Sequence, residues 1–154
     1  MKQIRVKKGE ILQKSGDLNS KIFHVISGLL RSYAIDKKGR EHIFMFGPEG
    51  WTVADNVSPD IPCDLYIDAL EDSLVNIFPK NLKMENKNAP AFIKRIAVLQ
   101  KRVIMLMSAP ALERYEHFKQ TYPEIIQRAP QKMIASYLGI TPEALSNIKN
   151  KHLK

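Results

Sequence analysis

The sequence predicts an α+β chain in three parts. These are an antiparallel β module over residues 1–79, a connecting helix over 80–108 and a helix-turn-helix domain over 109–154. Three observations support this division. Short runs rich in β-branched and aromatic residues recur through the first half, punctuated by glycines. From Pro90 the apolar residues switch to helical spacing. Residues 131–150 then read as a helix, a tight turn and a second helix.

Taken in order, Ile4–Val6 and Glu10–Gln13 are short extended runs parted by Lys8-Gly9. Lys21–Ile26 and Leu29–Ile35 are rich in β-formers, with a Ser27-Gly28 turn between them. A turn at Asp36–Arg40 leads into Glu41–Phe46. A Gly/Pro-rich segment follows, and then come Leu65–Leu70 and Ser73–Phe78. Many short strands at regular spacing indicate an antiparallel sandwich or barrel. No internal repeat or low-complexity tract interrupts it.

Beyond Pro90, Phe92, Ile96, Leu99, Val103 and Leu106 step by four, three, four and three, which draws one apolar stripe along a helix of about five turns. The stripe can pack on the β module, and its coiled-coil spacing also suits a second copy of the chain, with Lys94, Arg95, Lys101 and Arg102 left in water. Ser108-Ala-Pro110 reads as a hinge before a helix from Ala111 to about Thr121, which puts Leu112, Tyr115 and Phe118 on one face. Tyr122-Pro123 breaks that helix. Met105 and Met107 are expected to fill a helix–helix core.

The last quarter carries the functional signal. Ala135 is small where two helices must cross closely. Gly139 stands where the first helix must stop, a position that favours a left-handed backbone. Thr141 can cap the next helix, and Pro142 suits its first turn because its missing N–H is not needed there. Ile134, Leu138, Ile140, Leu145 and Ile148 supply the locking apolar faces. This is the pattern of a helix-turn-helix, whose second helix enters the DNA major groove. Pro142, Glu143, Asn147 and Asn150 are placed to face bases. Gln131, Thr141, Ser146, Lys149 and Lys151 suit phosphates, which position a helix without reading sequence.

Charge distribution agrees with a nucleic-acid partner. Residues 1–79 carry 10 Lys/Arg against 11 Asp/Glu, whereas residues 80–154 carry 14 against 5. A near-neutral half joined to a basic half suggests a sensing module attached to a DNA-binding one. The single cysteine, Cys63, excludes an internal disulfide and fits a reducing cytoplasm. No apolar run approaches the ~20 residues of a membrane span, and the first residues lack a signal peptide's apolar core.

Together these parts resemble the Crp/Fnr family of bacterial transcription regulators. The match is carried by Lys8–Leu12, Ser15–Asp17, Ile22–Gly28 with Arg31, and Gly139–Ser146, in that order. Arg114-Tyr115, Tyr122-Pro123, Pro130-Gln131 and Ile134–Gly139 look like the short Bacteroidetes-type members. The resemblance implies a β-roll like the cyclic-nucleotide-binding domains, a long dimerisation helix and a terminal DNA-binding head. It further implies a homodimer on a near-palindromic operator in double-stranded DNA. RNA polymerase and a small-molecule effector are the other partners implied.

Three departures from the family pattern matter. The chain begins almost at its first strand, without the family's extra helical residues. Cyclic-nucleotide-binding members carry a Gly-Glu pair and then Arg-Ser or Arg-Thr. Here Ala54-Asp55 stands at the pair, and no arginine or lysine lies between Arg40 and Lys80. A cyclic phosphate needs a cationic or amide-rich cradle, and Asp55, Asp60 and Asp64 would repel it. The effector pocket, if one operates, is assigned to Glu49, Trp51, Asp55 and Asp64. Thirdly, many members place arginines where this chain has Pro142 and Asn147. Glu143 suits cytosine N4 and Asn147 suits adenine N6/N7, so a half-site unlike the family's guanine-containing one is expected.

Other chemistry is poorly supported. His24, His42, His117 and His152 fall at no metal-ligand spacing, and nothing favours a haem ligand. Asp60 and Asp64 are expected to disfavour a Cys63 thiolate. No catalytic triad, carboxylate pair or phosphate loop appears, so neither enzyme activity nor a cofactor is expected. The rival readings are a small β-barrel enzyme with a helical tail and a ligand- or protein-binding β-roll whose helical tail does not bind DNA.

Overall fold

The computed structural model describes residues 2–80 and 89–152, and the chain forms two compact units, Met1–Lys80 and Asn81–Lys154. The first unit holds eight described strands: β1 (Lys2–Val6), β2 (Ile11–Gln13), β3 (Lys21–Ser27), β4 (Leu30–Ile35), β5 (Glu41–Gly47), β6 (Thr52–Ala54), β7 (Tyr66–Ala69) and β8 (Ser73–Pro79). They form two antiparallel four-stranded sheets, ordered β1-β8-β3-β6 and β2-β7-β4-β5. Alternation puts one row of each strand inward. Val6, Phe23, Val25, Val53 and Val75 from the first sheet meet Leu30, Met45, Ile67 and Ala69 from the second in one buried core. The expected α+β class and antiparallel roll are borne out. The Gly/Pro-rich segment hides β6, which the sequence does not announce; its three residues pair with Ile22–His24 of β3.

Two details fix the register. Gly28, with φ +93°, makes the β3–β4 turn, and a side chain there would collide with Ser73 Oγ and the Asp72 carbonyl. Its N–H donates to Glu49 Oε1 at 2.9 Å. On the face of β4 opposite the core, the Arg31 guanidinium is buried, and it forms a two-pronged bond with Asp68 at 2.8 and 2.9 Å. It also pairs with Glu41 and lies 4.1 Å over the Tyr33 ring, which stacks on Tyr66. Burial opposes that positive charge. The bonds to Asp68 and Glu41 outweigh it and raise the Arg31 pKa. Burial also pushes the Tyr33 phenol up to about 12, helped by the Asp68 charge.

The second unit is helical: α1 (Ala89–Ser108), α2 (Ala111–Thr121), α3 (Ile125–Arg128), α4 (Gln131–Leu138) and α5 (Pro142–His152). The sequence break at Tyr122-Pro123 is followed at once by the short α3, and this adds Ile125 to the core. Phe118, Tyr122 and Tyr137 pack as a triangle of rings with centroids 5.3–5.6 Å apart, a buried cluster between α2 and α4. Leu112, expected on the buried face with Tyr115 and Phe118, is instead exposed. No helix among the described residues is long and apolar enough to cross a membrane.

Candidate nucleic-acid interface

The helix-turn-helix follows its sequence signals closely. Gly139 ends α4 in the left-handed region at φ 67°, ψ 33°, and the Ile140 N–H returns to the Ala135 carbonyl at 3.1 Å. Thr141 Oγ1 accepts the Ala144 N–H at 3.2 Å, which caps α5 and leaves the hydroxyl proton free to donate. Ile134, Ala135, Leu138 and Leu145 are fully buried, with Ile140 and Ile148 half-buried beside them. With those side chains anchored, Pro142, Glu143, Ser146, Asn147 and Asn150 all face solvent together with Thr141. Lys149 is half-buried at the flank, and Gln131 is exposed in the first turn of α4. The side chains of Phe92, Lys94, Arg95, Lys151 and His152, and all of Lys154, lie outside the described residues.

The long helix is turned relative to the expected stripe. Ile96 and Val103 are exposed, Ile96 at 63%, but Leu99 and Leu106 are half-buried. Leu106 lies against Gly139 at the end of α4. The exposed apolar face runs instead through Ile93, Ile96, Val103, Ile104 and Met107, and Met107 is 81% exposed rather than filling a core.

Several hydrogen bonds meet at the expected hinge, Ser108-Ala-Pro110. Ala109 N–H closes the last turn of α1 on the Met105 carbonyl. Arg114 donates from Nε to the Ala109 carbonyl, from Nη2 to that of Leu106 and from Nη1 to that of Leu138, at 2.8–3.1 Å. Arg102 adds a second tie, with its guanidinium 3.9 Å over the Tyr137 ring and a 3.3 Å bond to the Tyr137 carbonyl. Sequence reasoning left Arg102 in water and gave Arg114 only as part of the family resemblance, so it missed both contacts.

In the β module, the residues assigned to an effector pocket are engaged with the fold. Glu49 holds the Gly28 turn, and Trp51 packs half-buried against the core. Asp55 is buried, and its carboxylate accepts the N–H groups of Val57, Asp64 and Leu65 at 2.9–3.0 Å, while the Asp64 side chain is exposed. Amides that could cradle an incoming anion are thus already spent on an internal one. Lys80 Nζ donates to Ser20 Oγ and to the carbonyls of Asp55 and Val57, which ties the loop down further.

Among the described residues no group of His, Cys, Asp or Glu could hold a metal ion. His24, His42 and His117 face Thr52, Asp36 and Thr121 respectively. Cys63 is buried, and its thiol donates to the Lys14 carbonyl at 2.9 Å. Burial raises its pKa against the opposing backbone hydrogen bond of Asp17, and the Asp55 charge adds to the rise, rather than the Asp60 and Asp64 charges expected from sequence. Native Cys63 is therefore expected to react with a thiol reagent at pH 8 at least ~10-fold more slowly than the urea-unfolded chain. Equal rates would show an accessible thiolate.

No protein-family model and no curated protein matches the sequence. Solved structures do. FixK2 from Bradyrhizobium japonicum is similar with a TM-score of 0.83 at 18% identity, over 97% of this chain and 83% of that one. TTHA1359, a transcriptional regulator of the Crp/Fnr family from Thermus thermophilus, gives 0.74 at 15% identity, over 97% and 84%. The c-di-GMP-responsive global regulator CLP of Xanthomonas campestris gives 0.68 at 13% identity, over 99% and 86%. At such identities the likeness is one of fold. The chain has the fold of the Crp/Fnr transcriptional regulators.

Proposed function

We propose that the protein is a bacterial DNA-binding transcription regulator of the Crp/Fnr type, not an enzyme, which binds a near-palindromic operator as a homodimer paired through α1. The observation that carries this reading is the outward face of α5. Pro142, Glu143, Ser146, Asn147 and Asn150 all point to solvent from a helix anchored by Leu145 and Ile148 behind it. Glu143, Asn147 and Asn150 are separated by four and three residues, or about 6 and 4.5 Å along the axis. That spacing matches a few base pairs of a major groove. A carboxylate accepts from cytosine N4, and a carboxamide pairs with adenine N6 and N7, so the half-site is built on cytosine and adenine rather than guanine. Gln131, Thr141, Ser146, Lys149 and Lys151 hold phosphates. The occupied Asp55 amide nest supports a β-roll that answers to no cyclic nucleotide.

Binding of purified protein to labelled duplexes tests this. Asn147→Ala is expected to weaken the preferred duplex by about 1–3 kcal/mol and to lose discrimination at one base pair per half-site. Lys149→Ala is expected to weaken all duplexes alike and to flatten the salt dependence by about one unit of log–log slope per protomer. If Asn147→Ala weakens every duplex equally, α5 does not read bases.

A further inference from the structure

We propose that Arg114 is a positioning residue that sets the separation of the two half-sites in the operator. The proposal rests on α5 reading DNA in a dimer built through α1.

Two prolines create the need for this residue. A helical carbonyl is normally satisfied by the N–H four residues on. For Leu106, near the end of α1, that residue is Pro110; for Leu138, the last residue of α4, it is Pro142. Neither proline has an N–H to give. The half-buried Arg114 guanidinium supplies both missing donors, Nη2 to the Leu106 carbonyl at 2.8 Å and Nη1 to the Leu138 carbonyl at 3.1 Å. Its Nε takes the Ala109 carbonyl at 2.9 Å. One rigid planar fork therefore joins the C-terminal ends of α1 and α4, where unpaired carbonyls and the helix dipoles concentrate negative charge.

The place of this junction decides what it controls. Leu138 directly precedes Gly139, the left-handed residue from which α5 departs, and a Cβ on Gly139 would stand 3.5 Å from Arg114 Nη1. The start of the recognition helix is thus fixed against the end of the pairing helix through one side chain. In a dimer paired along α1, the angle between α1 and α4 fixes how far apart the two α5 helices stand. A loosened angle lets the heads reach half-sites at several separations. Lysine keeps the charge but cannot span three carbonyls in a fixed fork, and glutamine keeps one amide.

The test uses full-length protein and duplexes in which the half-site selected by the wild type is repeated with spacers varied one base pair at a time. Wild type is expected to prefer one spacing by at least tenfold over its neighbours. Arg114→Lys and Arg114→Gln are expected to remain dimers by light scattering and to bind that spacing about tenfold more weakly. Across spacings they should discriminate less than threefold. Arg102→Gln, which cuts the other tie to α4, gives a further variant with the same expectation in milder form. Arginine variants that keep the wild-type spacing preference, at whatever overall affinity, would overturn the proposal. So would loss of folding in all three variants, because the arginines would then serve stability alone. Failure of the wild type itself to bind any duplex selectively would instead overturn the reading of α5, and the role of Arg114 with it.

Discussion

Ile96→Glu combined with Val103→Glu is expected to convert the protein to a monomer and to abolish tight operator binding. Both side chains stand in water on the exposed apolar face of α1, between Ile93 and Met107. In a symmetric dimer the pair of substitutions removes four buried side chains. At about 1.5 kcal/mol each, the low end for burying such groups, the dimer dissociation constant rises ~10⁴-fold. Four new carboxylates facing one another add repulsion. A lone head makes half the phosphate and base contacts, so binding falls with the dimer. Light scattering and duplex binding on the same sample check this. Leu99 makes a poorer probe because it is half-buried, so its substitution confounds folding with assembly. A double variant that stays dimeric would remove α1 as the interface.

Arg31→Ala is expected to cost the β module about 3–5 kcal/mol, because it strands a buried carboxylate. The side chains of Arg31 and Asp68 are only 7% and 10% exposed, and Asp68 sits centrally on β7 opposite Arg31. Removing the guanidinium leaves Asp68 without its two-pronged partner and removes the cover over the Tyr33 ring. The single tryptophan, Trp51, lies in this unit, so its fluorescence in urea reports the loss directly. Replacing the pair together, Arg31→Met with Asp68→Leu, is expected to recover most of the stability, since no buried charge is stranded and Glu41, the other partner of Arg31, is 42% exposed to water. A double variant as weak as Arg31→Ala would mean that the ion pair itself stabilises the sheet.

These two sites show where sequence reasoning reaches and where it stops. The helix-turn-helix is legible because its signals are local. Gly139 must take a positive φ, Pro142 tolerates a first turn, and Thr141 caps across three residues. The strands are legible from alternation, yet β6 is not, because three residues inside a Gly/Pro-rich stretch carry too short a pattern. Arg31 enters the sequence reading only as part of the family match. Its burial depends on Asp68, 37 residues away, brought opposite by strand register. The apolar stripe of α1 is visible as a period, but which side of it faces its own unit depends on Leu106 meeting Gly139. The two orphan carbonyls can be inferred from Leu106–Pro110 and Leu138–Pro142 spacing alone. Which donor fills them is a tertiary fact. At Ser108-Ala-Pro110 the helix boundary is legible from the proline, but the Arg114 bonds across it are not.

The most direct measurement is selection from a randomised duplex library with the purified protein, followed by a salt titration on the enriched sequences. The expected result is a near-palindrome with half-site centres about 34 Å apart, or a multiple of it. Cytosine and adenine should stand opposite Glu143 and Asn147, and affinity should fall steeply with salt. Weak binding with no sequence enriched at any salt concentration would contradict sequence-specific regulation by this chain.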